Sequence, residues 1–122
     1  MDRIDLARDI ADVLLDKQGE DIIILDLRDL TPITDYFVIC SGNSRRHLRT
    51  MANTVQETMK QHGTGFYAKV VEGTAESGWI LLDYNSVIVH LFDDEMRRFY
   101  QLEELWSAGR IVARIQQCQT QM

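Results

Sequence analysis

The stretch SGNSRR, Ser41 to Arg46, follows an apolar run, YFVIC, and opens a segment with helical periodicity. A strand that turns through Gly42 into a helix aims free backbone N–H groups, together with Arg45 and Arg46, at whatever lies above the turn. Phosphate binding is the chemistry such a turn can do. A dinucleotide loop or a P-loop, however, needs several glycines at fixed spacing to bring backbone close to phosphate, and Gly42 stands alone. A turn that only joins strand to helix is the plainer reading.

Nucleotidyl transfer would need more than the turn. Enzymes of that class follow a Gly-Ser turn with alternating strand carboxylates, whose metal ions stabilise charge on the transferring phosphoryl group. Here the corresponding stretch is RRHLRTMANTVQETMK, whose one acid, Glu57, falls on a helical pattern. Asp93, Asp94 and Glu95 cluster at a helix start, where the macrodipole favours acids without any metal. His47, His62 and His90 lie far apart, without the pairing or cysteine company of a zinc site. No serine has nucleophile-elbow spacing. The expectation is a protein with no catalytic residue, no cofactor and no metal; a nucleotide-binding or nucleotidyltransferase-like enzyme using Ser41–Ser44 is the alternative.

The richest side-chain constellation lies further on, in GWILLDYNSVIVHLF. If Asn85 and Ser86 form a hairpin loop, Trp79 opposes Phe92, Leu81 opposes His90 and Asp83 opposes Ile88. One face then carries Ile80, Leu82, Tyr84, Val87, Val89 and Leu91, nearly all apolar. The other mixes rings with ionisable groups: Trp79, Leu81, Asp83, Ile88, His90 and Phe92. On this register Asp83 and His90 sit diagonally and could pair, which would favour the protonated imidazole. The plain reading of this face is a second core layer under a helix.

The next segment, DDEMRRFYQLEELW, starts at a good N-cap, Asp93. Read as one helix, it puts Asp94, Arg97, Arg98, Gln101 and Glu104 on a polar arc. Met96, Phe99, Tyr100, Leu102, Leu105 and Trp106 then sweep roughly 220° at 100° per residue, interrupted by Glu95 and Glu103. A helix on a sheet needs an apolar stripe of order 100°. The surplus, rich in Tyr and Trp, predicts a surface that another protein covers.

The elements that must position these residues are legible from pattern. MDRIDLARDIADVLLD spaces Asp2, Asp5, Asp9, Asp12 and Asp16 within an arc of about 80° on a helix, with Leu6, Ile10, Val13 and Leu14 on the neighbouring face. That carboxylate stripe reads first as a solvated face. DIIILDLR and YFVICS read as strands buried on both sides. Ser44 or Asn43 suits a helix N-cap, and Leu48, Met51, Ala52, Val55 and Met59 make one apolar face. FYAKVV looks extended and EGTAESG is a polar connection. Beyond Trp106, the extension 107–122 is expected to be either helical, with Ile111, Ile115 and Cys118 as a short stripe, or disordered.

Composition sets the outer bounds. With 122 residues and 45% hydrophobic content, the chain makes one α/β domain with a real core. The acid-studded start is unlike a secretory signal, and no apolar run reaches the length of a membrane helix, so a cytoplasmic protein is expected. Cys40 and Cys118 are too few for a disulfide scaffold, and Cys40 sits in a strand-like run. The net charge of −6 disfavours broad or sequence-specific nucleic-acid binding. It is uneven, with nine acids against four bases in residues 1–29 but Arg45, Arg46, Arg49 and Lys60 against Glu57 in residues 45–60, so a local basic patch and a basic protein partner both stay open.

ITDYFVICSGNSRRH, the EG pair at 72–73, WILLDYNSVIVHLF and RRFYQLEELW together resemble the ribosomal silencing factor family, also called Iojap-related, in order from about residue 4 to Trp106. The resemblance implies a silencing-factor domain over residues 1–106. It implies a mixed sheet of about five strands flanked by helices, a nucleotidyltransferase-like core lacking the catalytic carboxylates. It also implies a translation repressor that binds protein fourteen of the large ribosomal subunit and sterically blocks joining of the small subunit when nutrients are scarce. Carried onto this chain, the docking surface comprises Trp79, Asp83 and His90 on the hairpin and Arg97, Tyr100, Glu103 and Trp106 on the helix. Leu81, Phe92, Leu102 and Leu105 would be supporting contacts or packing. Trp79 and Tyr100 would anchor in pockets, while Asp83 and Glu103 would meet basic side chains. His90 could hold Asp83 in place; Arg97 could hold Glu103 or bind outward. A homodimer through the same surface is a further expectation. The tip YNS departs from the family's usual glycine and acid, although Asn85 tolerates positive φ.

Overall fold

The computed structural model describes residues 3–61, 68, 70–106 and 109–115. Among these, one mixed sheet contains β1 (Glu20–Asp26), β2 (Tyr36–Gly42), β3 (Val70–Thr74), β4 (Trp79–Asp83), β5 (Val87–Asp93) and β6 (Arg110–Ile115). The spatial order is β3-β4-β5-β2-β1-β6. Strands β2 and β5 run parallel, and the other neighbours pair antiparallel.

The continuous apolar runs of β1 and β2 have the cause anticipated for them: both faces are covered. Ile22, Ile24, Tyr36, Val38 and Cys40 point into one core layer, and Ile23, Leu25, Phe37 and Ile39 into the other. The first layer is closed by α1 (Arg3–Asp16), through Leu6, Ala7, Ile10, Ala11 and Leu14, and by α2 (Arg45–Lys60), through Leu48, Met51, Ala52, Val55 and Met59. Asp5, Asp12 and Asp16 of α1 face solvent. The second layer is covered by α3 (Asp94–Tyr100) and the single turn α4 (Leu102–Leu105).

The tail departs from expectation. Residues 110–115 form a strand, not a helical stripe, so the described sheet has six strands rather than five and continues beyond Trp106. Two forces select the strand. β1 would otherwise present an unpaired edge, and its acids receive the arginines of β6 at both ends. Arg110 Nη2 donates to Asp26 Oδ2 at 3.3 Å, and Arg114 Nε lies 3.3 Å from Asp21 Oδ1. Cys118 and Phe66, Tyr67 and Lys69 of FYAKVV lie outside the described residues, while Val70 and Val71 open β3. No helix among the described residues is long and apolar enough to cross a membrane.

Candidate docking face

The Ser41–Arg46 turn is occupied by structural work. Ser44 caps α2, its Oγ accepting from the His47 amide at 3.0 Å. His47 Nδ1 accepts from the Asn43 amide at 3.0 Å, so its proton is on Nε2, which donates to the Lys17 carbonyl at 2.8 Å. Ser41 Oγ accepts from Arg97 at 2.8 Å. A side chain at Gly42 would strike Leu48, Met51 and His47, so packing accounts for the glycine. Arg45 and Arg46 point to solvent.

The hairpin has the expected register, with Trp79 opposite Phe92, Leu81 opposite His90 and Asp83 opposite Ile88. Its tip works because Asn85 takes the left-handed conformation, φ 75°, while Asp83 Oδ1 accepts from the Asn85 amide at 2.7 Å. Asp83 is thereby held by its own turn and not by His90. The histidine instead accepts from Trp79: indole Nε1 donates to His90 Nδ1 at 3.2 Å. At 5% exposure the imidazole is buried, and desolvation pushes its pKa down to about 3. The side chain is therefore neutral, correcting the expected imidazolium, and its proton sits on Nε2, which has no hydrogen-bond partner among the described residues.

Rings stack outward from this buried pair. Phe37 meets His90 edge-on at 4.5 Å between centroids, and Trp79 lies over Phe92 at 5.4 Å with 20° between planes. Tyr100 tilts against Trp79 at 4.8 Å, and Phe99 meets Tyr100 edge-on at 5.1 Å. Phe92, 1% exposed, packs in the core, the second of the two roles expected for it. Tyr100 and Phe99, 39% and 74% exposed, form the outer end of the stack. Between β3 and β4 lies a shallow depression of about 160 Å³, lined by Glu72, Gly73, Trp79 and Leu81.

The following segment is not one helix. Asp93 does cap α3, accepting from the Met96 amide at 2.8 Å, but Gln101 adopts φ 49°, ψ 51° and breaks the run. A left-handed non-glycine residue costs about 1–2 kcal/mol. The break folds Leu102 and Trp106 back onto the second core layer, Trp106 meeting Phe37 edge-on at 5.8 Å. Burying a large apolar side chain is worth about 1.5–3 kcal/mol, so even partial burial of two offsets the strain. Part of the apolar surplus read from a straight helix is thus absorbed by the fold itself.

Arg97 also departs from its expected place. It is 7% exposed, bonded to Ser41 of β2, and its Nη2 lies 3.5 Å from Asp21 Oδ2. A bulge in β1 near Asp21, whose φ is 48°, accompanies this arrangement. Arg97 therefore fastens α3 to the sheet rather than facing outward. The side chains of Glu103 and Leu105 lie outside the described ones.

Of the residues singled out from sequence, the structure gathers Trp79, Leu81, Tyr100, Leu102 and Trp106 along one face, with Asp83 at its hairpin end and His90, Phe92 and Arg97 beneath. Glu72 and Gly73, which entered the sequence analysis only through the family resemblance, line the depression on this face. The cross-strand pairing of Glu72 with Leu81 would have placed the carboxylate beside this face, had β3 been registered on β4.

Comparison with known proteins fits this geometry. The model of the family described as ribosomal silencing factor during starvation, RsfS, matches residues 1–121. The chain belongs to this family. The ribosomal silencing factor of Bacillus subtilis is 37% identical over 91 residues, covering 75% of each chain. That of Zymomonas mobilis is 39% identical over 100 residues, covering 82% of this chain and 74% of its own. The crystal structure of a Chromobacterium violaceum protein superposes with a TM-score of 0.82 at 31% identity, over 88% of each chain. The RsfS family name implies a ribosome-associated role, and the match through residue 121 takes in β6.

Proposed function

We propose that this silencing factor binds the large ribosomal subunit through its protein fourteen and represses translation by standing where the small subunit would join. The observation that carries the reading is the stack Trp79–Tyr100–Phe99, which runs from the core out to solvent in a member of this family. Trp and Tyr supply large contact area at little conformational cost and dominate interface energetics. Acids flank the stack, Asp83 at the hairpin end and Glu72 on the edge strand, and a net charge of −6 would speed encounter with a basic ribosomal protein. The mechanism is steric and needs no chemical step. His90 and Arg97 support it from below by holding Trp79 and α3. The same rings offer a second copy of the chain a surface to pair through, in competition with the ribosome. The place of action on this reading is the cytoplasm.

Sedimentation tests the proposal. Wild-type protein should travel with isolated large subunits, and Trp79→Ala should stay at the top of the gradient. Equal recovery of both proteins would contradict it.

A further inference from the structure

We propose that the depression between β3 and β4 is a receptor for one arginine side chain of the docking partner, with Glu72 as its counter-charge; this rests on the docking reading above. The depression, about 160 Å³, is below the roughly 300–1,000 Å³ of small-molecule sites and suits a single side chain. Its walls are the half-buried Trp79 and Leu81, and its rim carries one carboxylate. Cross-strand register fixes this layout. Glu72 is opposite Leu81 and Thr74 opposite Trp79, so the carboxylate rises on the same face as the indole. Glu72 is exposed and makes no hydrogen bond or ion pair with any described residue, whereas Asp21 and Asp26 on the same sheet are already occupied by arginines. Gly73 shapes the site. It has φ 78°, and a Cβ there would drive into the Trp79 carbonyl, so the two strands approach closely at this point.

An apolar trough ending in an exposed carboxylate fits an amphipathic cation. An arginine can lay its methylene stem on Leu81, stack its guanidinium on the indole face, and donate N–H groups to the Glu72 carboxylate. Neither a neutral apolar side chain nor an acidic one satisfies both parts of the site.

Two measurements decide it. In the first, N-acetylarginine methylamide and its norleucine analogue are titrated into ¹⁵N-labelled protein. The arginine probe should shift the Gly73 amide and Trp79 indole signals saturably, the norleucine probe should shift them about five-fold less, and Glu72→Gln should remove the difference. Equal shifts from both probes, or none from either, overturn the receptor. In the second, large-subunit sedimentation compares wild type, Glu72→Gln and Glu72→Lys. Binding should weaken about five-fold and about thirty-fold respectively, with a shallower salt dependence, as expected for loss and reversal of one interfacial charge. Wild-type binding by Glu72→Lys would remove the depression from the docked surface. Failure of the wild type itself to sediment would count against the docking reading, while the titration still decides the receptor.

Discussion

At the scale of single residues, the decisive pair is Trp79 and His90. Because His90 Nδ1 accepts the indole proton, the imidazole must be the neutral Nε2–H tautomer. Its nitrogen shifts in a long-range ¹⁵N–¹H spectrum should show that tautomer unchanged down to pH 5. Burial lowers the folded pKa to about 3 from the usual 6.5, so between these values the unfolded chain binds the extra proton. This contribution to stability is complete above about pH 6.5 and falls as acid is added. The urea midpoint of the wild type should therefore drop between pH 7 and about pH 4.5, and His90→Gln should flatten that slope. Asp26 acts in a lower window. The Arg28 hydrogen bond draws its pKa down from 3.8 to about 2, so its contribution is present above 3.8 and vanishes as pH falls through 2. Arg97→Met should destabilise by about 2 kcal/mol in urea titration, because it strips the buried Ser41 hydroxyl of its donor and Asp21 of one of its two arginines. An unchanged midpoint would mean that Arg97 is not what holds α3. Arg97 was misplaced from sequence because a helical wheel sorts side chains by polarity alone. It does not show that the sheet under α3 ends in a serine and an acid.

At the scale of elements, legibility tracked how local the determining forces are. The β4–β5 register followed from a two-residue tip and strict alternation, and the double burial of β1 and β2 followed from unbroken apolar runs. The break between α3 and α4 was invisible because Gln101 is neither glycine nor proline; what bends the chain is the distant second core layer receiving Leu102 and Trp106. Gln101→Gly should relieve left-handed strain and stabilise by about 0.5–1 kcal/mol in thermal or chemical unfolding, whereas Gln101→Ala should not stabilise. Strand β6 was hidden for a related reason. In RIVARI the spacing of Ile111 and Ile115 fits a helix as well as a strand, and the choice is made by the open edge of β1 and by Asp21 and Asp26. Ending the chain after residue 109 should lower the unfolding midpoint and promote association through the bared β1 edge, measurable by light scattering.

At the scale of the whole molecule, the two faces of the sheet do different work. One is sealed by α1 and α2 over a broad core. Among the described residues the other is covered by the short α3 and α4, which leave a graded transition from Phe92, fully buried, through Trp79 and Tyr100 to Phe99 in solvent. On the proposed docking, the sheet would carry Trp79 and Tyr100 as anchors, and the thin layer over this face would leave them reachable. Trp79 and Tyr100 stood out in the sequence as interface-type residues, and the structure leaves Trp79 half-buried and Tyr100 exposed, while the burial of His90, Phe92 and Arg97 required knowing which side of the sheet is closed.

The most direct test couples binding to consequence. Purified large subunits are incubated with the protein, small subunits are added, and joining is followed by light scattering while bound protein is recovered by sedimentation. Wild type should bind and suppress joining; a folded Trp79→Ala, Tyr100→Ala double variant should do neither. Undiminished joining with the wild type bound, or full suppression by the double variant, would contradict the account.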